Sequence, residues 1–243
     1  MGRARTASRV APLLEAVQSV VGAPLYGHVF PVARGPGAGL ILVAERRSLA
    51  WLSGRVEPEV QGVLVEQVRP GATFVDVGAS IGFFTLLAGR LVGPEGSVVA
   101  FEPQRDAASS LRRNAALNGF AMVEVVETAV GAQTGEASLR GLGKATAYIV
   151  DDGEWDGGTL RVKTTTLDDH FTEPVRAPVM VKIDVEGHER EVLRGMTRLL
   201  EEASPLLVVE THGTADDVRA DLARHRYETT PLGRSHLLCT PIR

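Results

Sequence analysis

The stretch Thr73-Phe74-Val75-Asp76-Val77-Gly78-Ala79-Ser80-Ile81-Gly82-Phe83-Phe84 restricts the fold more than any other part of this chain. An apolar strand over 73–77 runs into a glycine turn, and a helix is predicted from 81. Gly78 and Gly82 let the backbone turn tightly and come close to a neighbour, because no Cβ stands in the way. The helix start aims unpaired N–H groups over the end of the strand. The spacing is D-x-G-x-x-x-G. With Ser at 80 and Phe at 83, it is not the G-x-G-x-x-G fingerprint, so a pyrophosphate ligand is disfavoured.

Downstream, the pattern keeps alternating. Strands are predicted at 73–77, 97–101, 123–126, 179–183 and 206–210, with helices at about 81–91, 104–118, 189–202 and 215–225. Two further strands, near 227–230 and 236–240, have no helix between them and imply a closing hairpin, with an antiparallel last strand at the sheet edge. Strands joined through helices require right-handed crossovers and a mostly parallel sheet. The stretch 131–166 interrupts the alternation with many glycines and strand-like pieces at 137–139, 145–150 and 160–164. Upstream lie an amphipathic helix over about 10–21, short apolar runs at 29–32, 40–43 and 49–52 that suggest a small antiparallel sheet, and a helix over about 57–68. The division expected is 1–54 as an N-terminal helix and small β extension, then 55–243 as the main domain. Residues 25–52 and the insert at 131–166 are expected to border the acceptor site, since long irregular segments in compact domains are often functional.

Composition excludes several classes. Hydrophobic residues make up 44% and charged residues 23%, as in ordinary globular proteins. A net charge of −4 gives no general attraction to nucleic acid or anionic membrane. The single cysteine, Cys239, rules out an intramolecular disulfide and a cysteine zinc site. Arg3, Arg5 and Arg9 are not followed by a signal-peptide core, and no run is long enough to span a membrane. A cytoplasmic protein is expected, and the arginine-rich, lysine-poor composition suggests a bacterial GC-rich genome. The oligomeric state is left open, a homodimer included.

Ligands of open α/β sheets bind at the C-terminal ends of the strands. Five successive strand ends here carry polar residues: Asp76 and Gly78; Glu102 and Pro103; Glu127, Thr128 and Ala129; Asp184, Glu186, Gly187 and His188; Glu210, Thr211, His212 and Gly213. Glu102 stands about twenty residues beyond the glycine turn, where an acid binds ribose hydroxyls. Asp76 either braces the turn or faces a cationic part of the ligand. Asn118-Gly119 reads as a helix stop, and the role of Asn114 is open. Lys182, inside a buried strand, needs a carboxylate partner.

Taken together, these motifs resemble the FkbM family of S-adenosylmethionine (SAM)-dependent methyltransferases. The resemblance covers about residues 55–215. It rests on Glu57-Pro58-Glu59, Phe74-Val75-Asp76-Val77-Gly78-Ala79, Ala100-Phe101-Glu102-Pro103, Asn114 with Asn118, Ala129-Val130-Gly131, and Lys182-Ile183-Asp184-Val185-Glu186-Gly187-His188-Glu189. Ser80 departs from the family, which usually carries Asn there, and the region before Leu52 has little to match. The resemblance implies a Rossmann-like class I methyltransferase fold: an α/β, mostly parallel seven-stranded sheet, helices on both faces and an antiparallel C-terminal strand. It also implies SAM as cofactor, S-adenosylhomocysteine as product, and a hydroxyl of a natural product, sugar or glycan as acceptor. The cofactor set expected is Asp76, Gly78, Ser80, Gly82, Glu102, Pro103, Thr128, Ala129 and Asp184. The Asn/Asp-Pro-Pro-aromatic motif of base-modifying enzymes is absent after 183, where the chain reads Asp184-Val185-Glu186-Gly187.

Moving a methyl group from a sulfonium to a hydroxyl needs alignment and the removal of one proton. The catalytic residues expected are Asp184, Glu186 and His212. Asp184 is the first candidate base, Glu186 shares or orients the proton, and His212 is the rival base; His188 also lies near. Alternatively, Lys182 pins Asp184 as a structural ion pair. No metal ligand is assigned. A metal-dependent variant would draw on Asp184, Glu210 and His212, whose oxygen and nitrogen atoms suit Mg²⁺ or Mn²⁺. Against it, Glu210 would pair with Lys182 and His212 would cap the following helix. Two other readings compete: an NAD-type oxidoreductase, disfavoured by the missing fingerprint, and a non-catalytic SAM-binding protein.

Overall fold

The computed structural model describes residues 26–45, 49–140, 148–150 (backbone only), 159–175 and 178–242. The expected helix over 10–21 lies outside them. The chain forms two compact units, Met1–Pro58 and Glu59–Arg243.

In the first unit, β1 (Val29–Pro31) pairs antiparallel with β2 (Ile41–Val43). The apolar residues Leu40, Leu42 and Val43 are buried there. The third apolar run is a correction: Leu49–Ser53 is a short helix, α1, not a strand. Its residues are not β-branched, and Gly54 follows at φ 71°, the left-handed conformation that ends helices. A Cβ on Gly54 would overlap the carbonyl oxygen of Arg34, so the turn requires glycine.

The second unit opens with α2 (Pro58–Gln67) and continues as β3 (Thr73–Val77), α3 (Phe83–Val92), β4 (Ser97–Phe101), α4 (Arg105–Leu117) and β5 (Val123–Val126). After an insert come β10 (Val179–Ile183), α6 (Glu189–Arg194), α7 (Thr197–Glu202), β11 (Leu206–Glu210), α8 (Ala215–Arg224), β12 (Tyr227–Leu232) and β13 (His236–Pro241). Their seven-stranded sheet has the order β12-β13-β11-β10-β3-β4-β5. The five strands from β11 to β5 are parallel, and β13 is antiparallel to both its neighbours. The last strand therefore sits one place in from the edge, and the edge belongs to β12. This corrects the expected edge position of the last strand and keeps its antiparallel direction.

Side-chain alternation divides the core. Val75, Val77, Val99, Phe101, Val181, Ile183, Leu207 and Val209 pack against Val192, Leu193, Met196, Leu199, Leu200, Val218 and Leu222 of α6, α7 and α8. On the opposite face Ala100 packs against Leu111 of α4. Helices thus cover both faces, as a parallel sheet needs.

The insert folds as a second sheet of order β6-β9-β7-β8, from β6 (Ala129–Val130), β7 (Gly135–Arg140), β8 (Tyr148–Val150) and β9 (Thr159–Thr165), followed by α5 (Leu167–His170). The helix expected over 189–202 is broken in two beside the root of this insert. A Cβ on Gly195 would overlap the carbonyl oxygen of Gly131, so glycine is required where α6 ends. The new start at α7 is capped from a distance: the backbone N–H groups of Arg198 and Leu199 donate to the Asp168 carboxylate at 2.8 and 2.9 Å.

The tightest approach in the sheet is between the ends of β3 and β10. Gly78 has φ 84°, and a Cβ there would overlap the carbonyl oxygen of Asp184. Gly187 has φ 100° with nothing within 4 Å of its Cβ position. Gly78→Ala should therefore cost more than about 4 kcal/mol of stability, the range of severe single substitutions. Gly187→Ala should cost only the left-handed penalty of about 1–2 kcal/mol. Urea denaturation of the two variants checks this, and equal losses would refute the distinction.

Candidate functional site

The turn after β3 is built by backbone hydrogen bonds. The N–H groups of Gly78 and Ala79 both donate to the carbonyl of Phe101 at 3.0 Å. Ser80 takes a left-handed conformation, φ 51°, and Gly82 stands at φ 93° before α3. A Cβ on Gly82 would come within 2.7 Å of the Leu111 side chain. The helix starts at Phe83 rather than 81 because the left-handed Gly82 cannot continue it backwards.

Glu102 follows β4 and is buried. Its Oε2 accepts the Ser80 N–H at 2.9 Å and its Oε1 accepts the Gln104 N–H at 2.8 Å. One carboxylate thus clips the β3 turn to the start of the β4 loop. Burial pushes its pKa up to about 7, against the pull of those two N–H groups. Carboxylate oxygens carry about four acceptor sites between them, so capacity for hydroxyl donors remains. Pro103, next in the chain, is half-buried.

Asp76 is buried in β3 and accepts the Thr85 hydroxyl at 2.6 Å. Thr85 is a residue that sequence reasoning missed; its position one turn into α3, over the strand end, was the only available signal. Asn114, left open by the sequence, braces the turn: its side-chain amide donates to the carbonyl of Ile81 at 2.8 Å. Asn118 donates to the carbonyl of Asn114 at 2.7 Å, and Gly119 supplies the left-handed helix stop at φ 70°. Thr128 is half-buried beyond β5. Ala129 belongs to β6 and packs with Leu139 and Val162, so its side chain faces the second sheet.

At the ends of β10 and β11 the structure gathers an acidic cluster. Lys182, buried in β10, stands opposite Asp76 in register and lies over the Phe84 ring at 4.9 Å. Its Nζ meets Asp184 Oδ2 at 3.1 Å. This contact is the Lys182–Asp184 ion pair given as the alternative to a base at Asp184. Burial disfavours the Asp184 anion, but the Lys182 charge outweighs it and holds the carboxyl below its usual range. Glu186 occupies a left-handed conformation, φ 52°, and burial raises its pKa despite the attraction of His212.

His212 is the centre of the cluster. Its Nδ1 contacts Glu189 Oε1 at 3.0 Å, its Nε2 contacts Glu186 Oε2 at 3.2 Å, and Glu210 Oε1 lies 3.9 Å away. Ionised carboxylates only accept, so a ring flanked by them at both nitrogens carries both protons. The hydrogen bond to Glu189 and the nearby carboxylates lift its pKa to about 9, against burial. His212 does not cap α8 by its side chain, and it reaches Glu189 instead. Glu189 is the second residue that sequence reasoning left without a role. The signal was an acid at the first helical position after Gly187-His188, which was read only as part of a motif. His188 stands just before α6, and its Nε2 lies about 3.5 Å from where a Cβ on Gly131 would stand.

Asp184, Glu210 and His212 each offer one ligand atom within 4.8 Å of the others, so the three can share a cation. The Ser235 hydroxyl, just before β13, donates to Glu210 Oε1 at 3.1 Å, and His236 Nε2 in β13 lies 3.8 Å from Glu210 Oε2.

Removing the buried cation gives the clearest test of this electrostatic arrangement. Lys182→Met leaves Asp184 ionised in a cluster of like charges. The expected loss is about 2–4 kcal/mol, less than the usual 3–5 for a broken buried pair. The discount reflects the 21% exposure that the Asp184 side chain keeps. Adding Asp184→Asn should restore part of it. Chemical denaturation measures both, and a single-variant loss under about 0.5 kcal/mol would show a pair screened by solvent.

Comparison with known proteins places the residues from Asp76 to His212 inside one domain. A family model described as Methyltransferase FkbM domain matches residues 76–229. The hexuronic acid methyltransferase AglP of Haloferax volcanii is 29% identical over 163 residues, which cover 67% of this chain and 65% of that protein. Methyltransferase 1 of Beauveria bassiana is 27% identical over 143 residues, 50% of this chain and 57% of that one. The chain thus matches less than two thirds of the length of either relative. Among solved structures, a Clostridium thermocellum protein assigned as an rRNA methylase superposes with a TM-score of 0.51 at 14% identity, over 75% of this chain and 93% of that one. That likeness concerns the fold alone.

Proposed function

The chain belongs to the family of FkbM-domain methyltransferases, and from that premise we propose that it is a SAM-dependent O-methyltransferase acting on a hydroxyl of a small molecule, sugar or glycan. One observation carries the reading: the domain match at 76–229 takes in the Gly78 turn, the buried Glu102 and the His212 cluster together. The hexuronic acid methyltransferase among the relatives supports a sugar hydroxyl as acceptor. No helix among the described residues is long and apolar enough to cross a membrane.

The residues at the strand ends fit SAM. Gly78, Ser80 and Gly82 form the left-handed turn over β3 that would cradle the cofactor. Glu102 offers spare acceptor sites to a ribose diol, and Asp76 brings negative charge towards an ammonium or sulfonium centre. Pro103, Thr128 and the Ala129 backbone border the adenine side, and Asp184 closes the cradle from β10. When bound there, SAM supplies an electrophilic methyl group.

The rest is the work of this chain's own side chains. The acceptor hydroxyl is far too weak an acid to ionise at neutral pH, so a base within hydrogen-bond reach speeds the step by about 10²–10⁴-fold. A base works best with a pKa near the working pH. On that ground Glu186 Oε2 is the better proton acceptor, because burial raises its pKa. Asp184 is kept ionised by Lys182 and serves to fix the loop and its charge. His212, doubly protonated, donates a hydrogen bond and balances the carboxylate that takes the proton.

A metal-dependent form of the same transfer has one observation in its favour, the convergence of Asp184, Glu210 and His212 within 4.8 Å. Asp184 and Glu210 would supply oxygen ligands, and His212 would have to give up its Nε2 proton. Chelation followed by Mg²⁺ or Mn²⁺ addition separates the two forms: the leading one keeps its turnover in chelator.

The cofactor site predicts a proton-linked affinity. A ribose diol donates more strongly to ionised Glu102 than to its protonated form, so S-adenosylhomocysteine should bind more tightly as pH rises from about 6 to 8, by less than tenfold per unit. Glu102→Gln should flatten that slope and weaken binding by about 1.5–3 kcal/mol. Calorimetry across this range checks both, and a pH-independent wild type would remove Glu102 from the ribose. For the chemistry, labelled methyl transfer from SAM to hexuronic acids and neutral sugars should fall by about 100-fold or more in Glu186→Gln. S-adenosylhomocysteine affinity should stay unchanged in that variant. If Glu186→Gln keeps its turnover and Asp184→Asn loses it without a loss of melting temperature, the base is Asp184.

A further inference from the structure

Glu189 is the most enclosed acid among the described residues, with 0% exposure. It is the first residue of α6, yet its partners come from two different loops. Oε1 accepts the Gly187 N–H at 2.7 Å from the loop after β10 and the His212 Nδ1–H at 3.0 Å from the loop after β11. Oε2 accepts the Thr214 hydroxyl at 2.7 Å, again from the β11 loop. Those contacts, with their charge, hold the carboxyl below its usual range although burial opposes it.

The arrangement leaves the imidazole little freedom. Once Nδ1 is anchored, the ring plane is set and Nε2 points to Glu186 at 3.2 Å and Glu210 at 3.9 Å. Glu186 sits in a left-handed conformation that L residues adopt only when their surroundings hold them there. The same short helix is tied to α8 on its exposed side, where Arg190 Nε meets Asp221 at 2.8 Å. The inner tie through Glu189 is the one that reaches the reacting end of the sheet.

We propose that Glu189 is a positioning residue: its buried carboxylate fastens the β10 loop to the β11 loop and fixes His212 so that Nε2 faces Glu186. Its consequence for turnover rests on the methyl-transfer reading above; the contact itself does not. Geometry, rather than charge alone, is the operative quantity, because a fixed hydrogen-bond donor beside a base must hold its distance within a fraction of an ångström.

Two conservative variants of the full chain separate reach from charge. Glu189→Gln keeps the length and an acceptor oxygen for Gly187 and His212, and loses the charge. Glu189→Asp keeps the charge and withdraws the carboxylate by one methylene. The first readout is the nitrogen and proton spectrum of histidine-labelled protein. A slowly exchanging His212 Nδ1–H is expected in the wild type and in Glu189→Gln, and its loss is expected in Glu189→Asp. The second is the split between kcat and S-adenosylhomocysteine affinity. Glu189→Asp should lower kcat by about 10–100-fold with affinity unchanged, and Glu189→Gln should lie within a few-fold of wild type. An Asp variant that retains both the Nδ1–H signal and kcat overturns the proposal. So does a Gln variant that loses more than the Asp variant, which would make charge the operative quantity. A melting temperature lowered equally in both variants with kcat unchanged would make Glu189 purely structural. If the wild type transfers no methyl group, the function proposed above fails, while the histidine spectrum still decides the Glu189 contact.

Discussion

The close approach of Gly78 to the carbonyl of Asp184 governs the functional end of this molecule. Two parallel strands, β3 and β10, lie side by side in register, with Val77 opposite Ile183. The Asp184 N–H donates to the Val77 carbonyl at 2.9 Å, which carries the pairing one residue beyond the strand. The next step brings backbone onto backbone, and only glycine at 78 leaves room. This contact sets the distance between the turn that would cradle a cofactor and the loop that carries Asp184 and Glu186. A side chain at 78 would push those loops apart and separate the two halves of the site.

Charge at that junction is kept in balance by unequal means. Four carboxylates, Asp184, Glu186, Glu189 and Glu210, surround two cationic groups, Lys182 and His212. Three of the carboxylates are treated differently by their environments. Asp184 is ionised by an adjacent ammonium, Glu189 by hydrogen bonds in full burial, and Glu186 has too few compensating contacts to offset burial. Neighbouring carboxylates with pKa values driven apart are how one site holds a fixed charge and a proton acceptor together. Glu102, bonded to the β3 turn through the Ser80 N–H, follows the same logic with a pKa near 7.

The second sheet meets the split helix at one point. Gly131 leaves β6 where Gly195 ends α6, and their backbones come so close that only glycine fits at 195. Asp168, from the insert's own short helix, then satisfies the N–H groups that the break exposes. The insert is thus joined to the parallel sheet domain by a cap that replaces lost helix hydrogen bonds.

The parallel sheet was legible in the amino-acid order alone. Strands at 73–77, 97–101, 123–126, 179–183 and 206–210 carry the same bounds in the structure, because runs of apolar residues buried on both faces can be read locally. The glycine turn, Glu102 at the next strand end and the need of Lys182 for a carboxylate were legible for the same reason: each depends on near neighbours or on strand order. Packing had to decide which carboxylate that was, that Leu49–Ser53 is helical, that the helix after Gly187 breaks at Gly195, and that β12 takes the edge. It also brought His212 and Thr214 to Glu189 and Thr85 to Asp76. Those outcomes depend on contacts between residues far apart in the chain, whose distances are fixed by the way the elements stack and not by any local pattern.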